Sequence, residues 1–488
     1  MKNLRTLTLL HSNDLHGDFM AKSVDEKLIG GVSRLSGYVH KVREEEENVL
    51  YAIAGDMFRG SVIDSEYKGL STIQIMNYLG PDVATLGNHE VDYGLAHLLF
   101  VEKLARFPLI NANMYITTTG TRLFRSHIIL NVNGIKVMFI GILTEEVLSS
   151  ARQERIVGSF VDVREAAEEV GRICNSYQTE DIDLTVLLTH IGYEEDLKLA
   201  ALLKPEWGVD LIIGGHSHTL LEKPGIVNGI PVVQAAVGTA QIGRFDLQID
   251  MDRNCIDSYT WQCVPIDEEH CPVDEQLAAT IQLMKEETDQ KYMRYITRFA
   301  EQYKHLRRDR ESDVGCIFAD TLRDALGVDL MLVGMGSLRS YEIGPVVTLR
   351  DLSNMYPYPD RIYRITITGK LLKKMIAGIF RPEHFESDHV ENYAFSSGIY
   401  IEESLSEKKV VKLLWHGEEI NDEEIIRVGI QNYHYENITA FMALTAEDIT
   451  SVEKPKVLTT NAMDVLDEHF SSMEYVTAPQ DARWVTLE

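Results

Sequence analysis

No stretch of the 488 residues stays apolar for long enough to cross a bilayer. Met1 to Leu10 carries two positive charges but reaches Asp14 without a useful apolar run or a small-residue cleavage site, so no secretory leader is expected there. Positive charge is scarce as well. Lys and Arg number 47 against 75 Asp and Glu, and the formal net charge of -28 argues against nucleic acid or an anionic membrane surface as a partner. Cysteine is sparse and unpatterned. Cys174, Cys255, Cys263, Cys271 and Cys316 form neither a CxxC pair nor a zinc-knuckle spacing, and an odd count suits a reducing compartment. Internal repeats, low-complexity tracts and proline-rich linkers are missing too. The expectation is a soluble cytoplasmic protein of two domains, because 488 residues exceed what one core organises. Its oligomeric state is left open.

What is present is a repeated pattern of short apolar runs that end in chemistry. Thr6 to Leu10 leads into Asp14-Leu15-His16, Val49 to Ala54 into Gly55-Asp56, and Val83 to Leu86 into Gly87-Asn88-His89-Glu90-Val91-Asp92. Leu184 to Leu188 leads into Thr189-His190, and Leu211 to Ile213 into Gly214-Gly215-His216-Ser217-His218. Helix-like spacing separates these runs at Gly30 to Glu47, Ser71 to Leu79, Leu95 to Ala105 and Arg164 to Tyr177. Alternation of this kind predicts a largely parallel, layered α/β domain. Ligands of such sheets sit beyond the C-terminal strand ends, where all five tips can converge. Ile128 to Val132 and Ile135 to Leu143 read as a hairpin about Asn133-Gly134. A charged helix over Val273 to Lys304 reads as a connector. The domain reading is 1–270, a connecting helix over 271–304, and 305–488, the last opening with a helix at Asp313 to Leu326.

The donor types point to metal. In Asp14-x-His16 and His216-x-His218 a spacing of two, in an extended segment, puts both side chains on one side. Carboxylates, imidazoles and an amide together suit Mn, Zn, Co or Fe better than Ca or Mg, which prefer oxygen alone. Asp14, His16, Asp56, Asn88, His190, His216 and His218 are seven donors, too many for one tetrahedral ion. With Asp56 shared, each of two divalent ions has four protein donors and room for a common water. Such a pair lowers the pKa of that water and stabilises both oxygens of an in-line displacement at phosphorus. His89 is placed to act as electrostatic stabiliser or general acid, with Asp92 holding its other ring nitrogen. His11 reads as a strand residue and Asp18 as a loop carboxylate near the site.

The ordered set SNDLHG, AGDMFRG, LGNHEVDYG, LLTH and GGHSH resembles the 5′-nucleotidase and UDP-sugar hydrolase family, dinuclear metallophosphoesterases of calcineurin-like fold. The resemblance implies a four-layer α/β/β/α domain and an α+β C-terminal substrate domain. It assigns one metal to Asp14, His16, Asp56 and His218, the other to Asp56, Asn88, His190 and His216, and makes His89 and Asp92 the catalytic pair.

In the second half, Gly334-Met335-Gly336-Ser337-Leu338-Arg339 is similar to the family's Asn-Gly-Gly-Gly-Ile-Arg loop, making Arg339 an anion clamp and Arg308 a second one. Tyr358 and Tyr433 stand where the family sandwiches a base. Two departures follow: Gly334 replaces a base-contacting Asn, and Thr439 replaces a ribose-binding Asp, with Glu436 as the substitute acceptor. The implied activity is hydrolysis of phosphate monoesters of nucleotides or related phosphorylated metabolites. A phosphodiesterase or pyrophosphatase acting on cyclic nucleotides, dinucleotides or nucleotide sugars is the enzymatic alternative. A non-catalytic nucleotide-binding protein is the alternative of another class.

Overall fold

A computed structural model describes residues 2–24, 27–116, 118–144, 162–307, 310–358, 360–385 and 392–487. The chain divides into two compact units, Met1–Thr288 and Asp289–Glu488.

The first unit is built on two six-stranded sheets. One runs in the order Cys255–Pro265, Gln241–Asp250, Leu4–Ser12, Val49–Ala54, Val83–Thr85 and Leu109–Ile110. The other runs Gly225–Val227, Ile230–Val233, Leu211–Ile213, Leu184–His190, Ile135–Leu143 and His127–Val132. In the first sheet Leu4–Ser12 through Leu109–Ile110 are parallel, and in the second Ile135–Leu143, Leu184–His190, Leu211–Ile213 and Ile230–Val233 are parallel.

Strand alternation decides which residues meet. Leu7, Leu9, Ala52 and Phe245 of one sheet pack against Val137, Phe139, Val186 and Leu188 of the other in a single buried cluster. Residues of opposite parity, such as Leu10, Tyr51 and Ile53, face helices Val32–Glu45 and Leu70–Leu79. Met138, Ile140 and Leu187 face helices Val163–Ser176 and Tyr193–Leu202. The result is a helix–sheet–sheet–helix sandwich of four layers, as expected. Every parallel strand that was read as ending in a donor points its C-terminal end at the same rim.

Two readings are corrected. The helix expected over 271–304 spans only Glu275–Tyr292, across the division between the units, and Leu277 and Ile281 bury its apolar stripe in the first unit's core. Beyond it Tyr295–Arg298 is a strand that pairs with Val346–Thr348, and Tyr303–Lys304 pairs with Glu342–Ile343. A partner some fifty residues away overrides the local helical spacing. The long strand Cys255–Pro265, paired along Gln241–Asp250, was not anticipated.

The second unit has a five-stranded mixed sheet in the order Tyr393–Phe395, Leu330–Gly334, Ile425–Gln431, Ile362–Thr368 and Lys456–Thr459. Helices Asp313–Leu326 and Ala462–Ser471 share one buried cluster with this sheet. Helix Gly369–Ile379 and strands of a second, four-stranded sheet share the other. Helix Asp313–Leu326 has the expected bounds because both ends are signalled: Ser312 Oγ accepts from the Gly315 N–H at 3.2 Å, and Gly327 stops it at φ 66°.

Candidate metal centre

The five strand tips bring all seven expected donors of the first unit together. Asp14 and His190 are fully buried and Asp56 is 1 % exposed. Donor atoms of Asp14, His16 and His218, of His16, Asp56 and His89, and of Asp14, Asp56 and His190 lie within 4.8 Å of one another in each group. His16 Nε2 faces His218 Nε2 at 3.0 Å, and His218 Nε2 lies 3.4 Å from Asp14 Oδ1. Around Asn88, His190 Nε2 is 3.2 Å and His216 Nδ1 2.8 Å from the amide Oδ1. Asp56 Oδ2 stands between the two groups, 3.2 Å from His190 Nε2 and 3.7 Å from His16 Nε2.

Two carboxylates, four imidazoles and an amide oxygen converging on one rim make a cation site by their chemistry. Hydrogen bonds behind the ring reinforce this. His190 Nδ1 donates to the Ala54 carbonyl at 2.8 Å and His16 Nδ1 to that of Phe58 at 3.3 Å, so both turn Nε2 inward. Burial disfavours a charged His190, yet Asp56 and Asp14 overcome this and hold its imidazole above the ordinary value. Burial likewise raises the Asp56 carboxyl, and His190 and the His89 N–H more than offset it, leaving it below the usual carboxylate range.

The backbone corrects one expectation. Asp14, His16, Asp56, His216 and His218 have φ of 51°, 47°, 54°, 79° and 54°. They therefore sit in left-handed turns rather than in extended segments. Each such conformation costs about 1 kcal/mol or more for a residue with a Cβ, and the turns persist because neighbouring groups hold them. Glu90 is the main one. Its buried carboxylate accepts from the N–H groups of Gly87 at 2.5 Å, Met57 at 2.7 Å, Asp56 at 3.0 Å and Phe58 at 3.3 Å. Gly87 is required, since a Cβ there would lie 2.1 Å from Asp56 Oδ1. Asn13 joins Asp14 Oδ2 to the Ala236 carbonyl, both at 2.6 Å. Gln234 Nε2 donates to the Gly215 carbonyl at 2.9 Å while its Oε1 accepts from Thr219 N at 3.1 Å. Glu90 and Asn13 lie inside the motifs that carry the donors, but their residue type alone does not show this supporting part, and nothing in the sequence singles out Gln234.

His89 lies at the edge of the cluster, its ring 5.2 Å from that of His16. Its Nδ1 meets Asp92 Oδ2 at 2.7 Å, and that bond raises the imidazole above its ordinary value. Asp92 is raised by burial, but hydrogen bonds from His89 and Arg59 bring it below the usual range. His11 is a buried strand residue accepting from Trp261 Nε1 at 3.1 Å, and Asp18 accepts from Thr239 N at 3.0 Å in its loop.

In the second unit, Arg339 and Tyr358 come together, the guanidinium carbon 6.0 Å from the ring centre. Tyr358 and Tyr433 are 36 % and 57 % exposed. Tyr433 packs on His434 and Phe441, with ring centres 5.4 and 5.6 Å away. All three loops are tied by a buried residue that the sequence did not flag. Gln431 Oε1 accepts from Gly334 N at 2.7 Å, and Nε2 donates to Ser337 Oγ at 2.9 Å and to Tyr356 OH and Asp360 Oδ2, both at 2.7 Å. Residues 434–440 fall in two short helices, Asn432–Glu436 and Ile438–Met442, that meet at Asn437, and Thr439 Oγ1 donates to the Leu444 carbonyl at 2.7 Å. Glu436 Oε1 accepts from Asn432 Nδ2 at 3.2 Å. Arg308 lies outside the described residues.

A four-layer sandwich whose strand ends pool this donor set has the architecture of a metallophosphoesterase. Residues 7–220 match the family model of the calcineurin-like phosphoesterases, and residues 294–446 match that of the 5′-nucleotidase C-terminal domain. The chain thus matches, in order, both domains that the 5′-nucleotidases and their relatives join. It is 26% identical over 414 residues to the trifunctional nucleotide phosphoesterase YfkN of Bacillus subtilis, covering 76% of this chain and 27% of that one. To the 5′-nucleotidase of Mus musculus it is 27% identical over 445 residues, covering 81% and 73%. The chain spans between 27% and 47% of the first three curated relatives it matches. The fold is shared with a 5′-nucleotidase precursor from Thermus thermophilus, with a TM-score of 0.63, 22% identity and 99% of each chain covered. Calcineurin-like metallophosphoesterases use a dinuclear divalent metal centre, and the residues present here fit one.

Proposed function

We propose that this chain is a metal-dependent phosphoesterase that hydrolyses phosphate monoesters of nucleotides or related phosphorylated metabolites. The observation that carries the reading is the convergence of seven donors on one rim with His89 and Asp92 beside them. Asp14, His16, Asp56 and His218 would hold one ion and Asp56, Asn88, His190 and His216 the other. Two divalent ions there would supply Lewis acidity and lower the pKa of a water for attack on phosphorus.

The remaining steps belong to the chain's own groups. Asp92 accepts from Nδ1 and favours the doubly protonated ring, so His89 carries an Nε2 proton that it gives to the leaving oxygen as the P–O bond breaks. In the second domain Arg339, with Arg308 as a further clamp, binds an anionic part of the substrate, and Tyr358 and Tyr433 stack on its base. A silent binding protein has no use for the complete donor set with His89.

The likeness to nucleotide-cleaving relatives supports a nucleotide as substrate. Five cysteines without a disulfide among the described residues support a reducing compartment, and we place the protein in the cytoplasm. No helix of the described residues is long and apolar enough to cross a membrane. The test is phosphate release from a panel of nucleotides and sugar phosphates by protein stripped with chelator and reloaded with Mn, Co, Zn or Fe, beside His89→Ala. Metal-dependent release that the variant lacks is the expected result. Absence of release with every metal and substrate would overturn the reading.

A further inference from the structure

Beside the donor set the first unit holds a cavity of about 480 Å³. Leu15, Phe19, Met20, Ile29, Ile63 and Val237 give it apolar walls, and His16 lines it as well. His16 belongs to both places, since its Nε2 lies 3.0 Å from His218 Nε2 and 3.7 Å from Asp56 Oδ2. Two more wall positions are tied to the donor loops, Gly238 N donating to the Asp14 carbonyl at 2.8 Å and Gly17 N to that of Met57 at 3.0 Å. The cavity thus shares a wall with the candidate metal centre.

The polar side chains of the lining are committed elsewhere. His16 Nδ1 donates to the Phe58 carbonyl at 3.3 Å, and Ser61 Oγ caps helix Val62–Tyr67 by accepting from Asp64 N at 3.1 Å. Asp18 accepts from Thr239 N at 3.0 Å and Thr239 Oγ1 at 3.1 Å and pairs with Lys22 Nζ at 2.8 Å, so the two charged side chains neutralise each other. A charged group entering this space would give up water and meet no free counter-charge, whereas a hydrocarbon gains by leaving water. Met20 and Val237, 40% and 41% exposed, give the rim the same apolar character.

We infer that this cavity receives the hydrocarbon part of an alcohol esterified to the phosphate, so that the chain hydrolyses phosphate monoesters of apolar alcohols. The inference rests on the phosphoesterase reading and adds a substrate class that needs neither base nor ribose. Its place suits the leaving side of the ester. His89 gives its proton to the leaving oxygen, and its ring is 5.2 Å from that of His16, which lines the cavity. A group carried on that oxygen is within reach of the apolar walls, and the volume suits a ring or a chain of several carbons. The step balances. Water adds its oxygen to phosphorus, and the bond from phosphorus to the ester oxygen breaks. That oxygen leaves with the electron pair and takes the His89 proton, which the proton given up by the water replaces. The products are inorganic phosphate and a neutral alcohol.

The test compares 2-cyclohexylethyl phosphate with ethyl phosphate on the metal-loaded full chain, because the two leaving oxygens are chemically alike and a saturated ring does not stack as a base does. Burial of the ring is expected to raise kcat/KM at least about tenfold over the ethyl ester. Met20→Asp and Val237→Asp, which put a charge at the rim, should each lower that ratio about tenfold, while Met20→Leu keeps it. Calorimetric binding of 2-cyclohexylethylphosphonate against ethylphosphonate reads the same preference without turnover, and unfolding curves matched to the wild type exclude a folding defect in the variants. Cleavage of AMP but of neither ester, equal kcat/KM for the two esters, or a preference that survives both aspartates would overturn the inference. If no substrate at all releases phosphate, the phosphoesterase reading fails separately, and the phosphonate comparison decides whether the cavity takes a hydrocarbon.

Discussion

The two halves of this chain carry their functional side chains in opposite ways. In the first unit the donors lie at buried strand ends, in left-handed turns that Glu90, Asn13 and Gln234 hold from behind. In the second, the proposed stacking rings Tyr358 and Tyr433 stand in the open, one in a loop and the other on helix Asn432–Glu436, with Gln431 tying the neighbouring segments. A cluster of charges must be positioned to fractions of an ångström, whereas a stacking ring needs only a face and a direction. Burial thus restricts change in the first unit. Exposure leaves the second freer, where Thr439 lies in the short helix Ile438–Met442.

The sharpest way to break this contrast is to remove the shared donor. Asp56→Ala is expected to abolish turnover and to lower bound metal below two ions per chain, measured by elemental analysis after reloading. Undiminished metal content would show that Asp56 is not shared. His89→Ala should lower kcat by about 10²–10⁴-fold while metal content stays the same, and a change confined to KM would move His89 from chemistry to binding.

Protonation sharpens the same point. His190 is held above its ordinary value because Asp56 and Asp14 outweigh the effect of burial, and a metal must displace that proton. Metal affinity should therefore weaken as pH falls, by up to about tenfold per unit, starting above the ordinary histidine value of about 6.5. Competition with a chelator between pH 6 and 9 reads this directly, and a flat profile would contradict it.

On the other side of the comparison, Tyr433→Ala or Tyr358→Ala should raise KM for a nucleotide about fivefold or more with little change in kcat. A fall in kcat instead would give these exposed rings a part in the chemistry.

The smallest effect concerns stability. Burial alone pushes the His11 imidazole down to about 3. Between that value and about 6.5 the unfolded chain takes up a proton that the folded chain refuses, so stability falls as pH falls, by up to about 1.4 kcal/mol per unit from this residue. Urea unfolding of metal-free wild type and His11→Gln should differ by one proton in slope across that window.

Much of this was legible before any coordinates. The five strand tips were readable because each apolar run ends abruptly in Asp, Asn or His, and Asp313–Leu326 because Ser312 and Gly327 mark both ends. What stayed hidden depends on distant partners. Helical spacing continues past Tyr292, but Tyr295–Arg298 finds Val346–Thr348 and becomes a strand. Left-handed turns at Asp14 and His218 leave no mark in residue type, because such a conformation ordinarily announces itself through glycine. Glu90 and Gln431 read as ordinary polar residues, since nothing local reveals that one carboxylate will meet four N–H groups or one amide three loops.

Glu90 has a consequence for how the centre lives in a cell. Its carboxylate reaches both the Asp56–Phe58 loop and Gly87, so the two are clasped through the protein itself, at four backbone positions. The rim behaves as a socket cut in advance rather than a knot tied by its ions. The clasp is expected to keep the loops together when ions are exchanged.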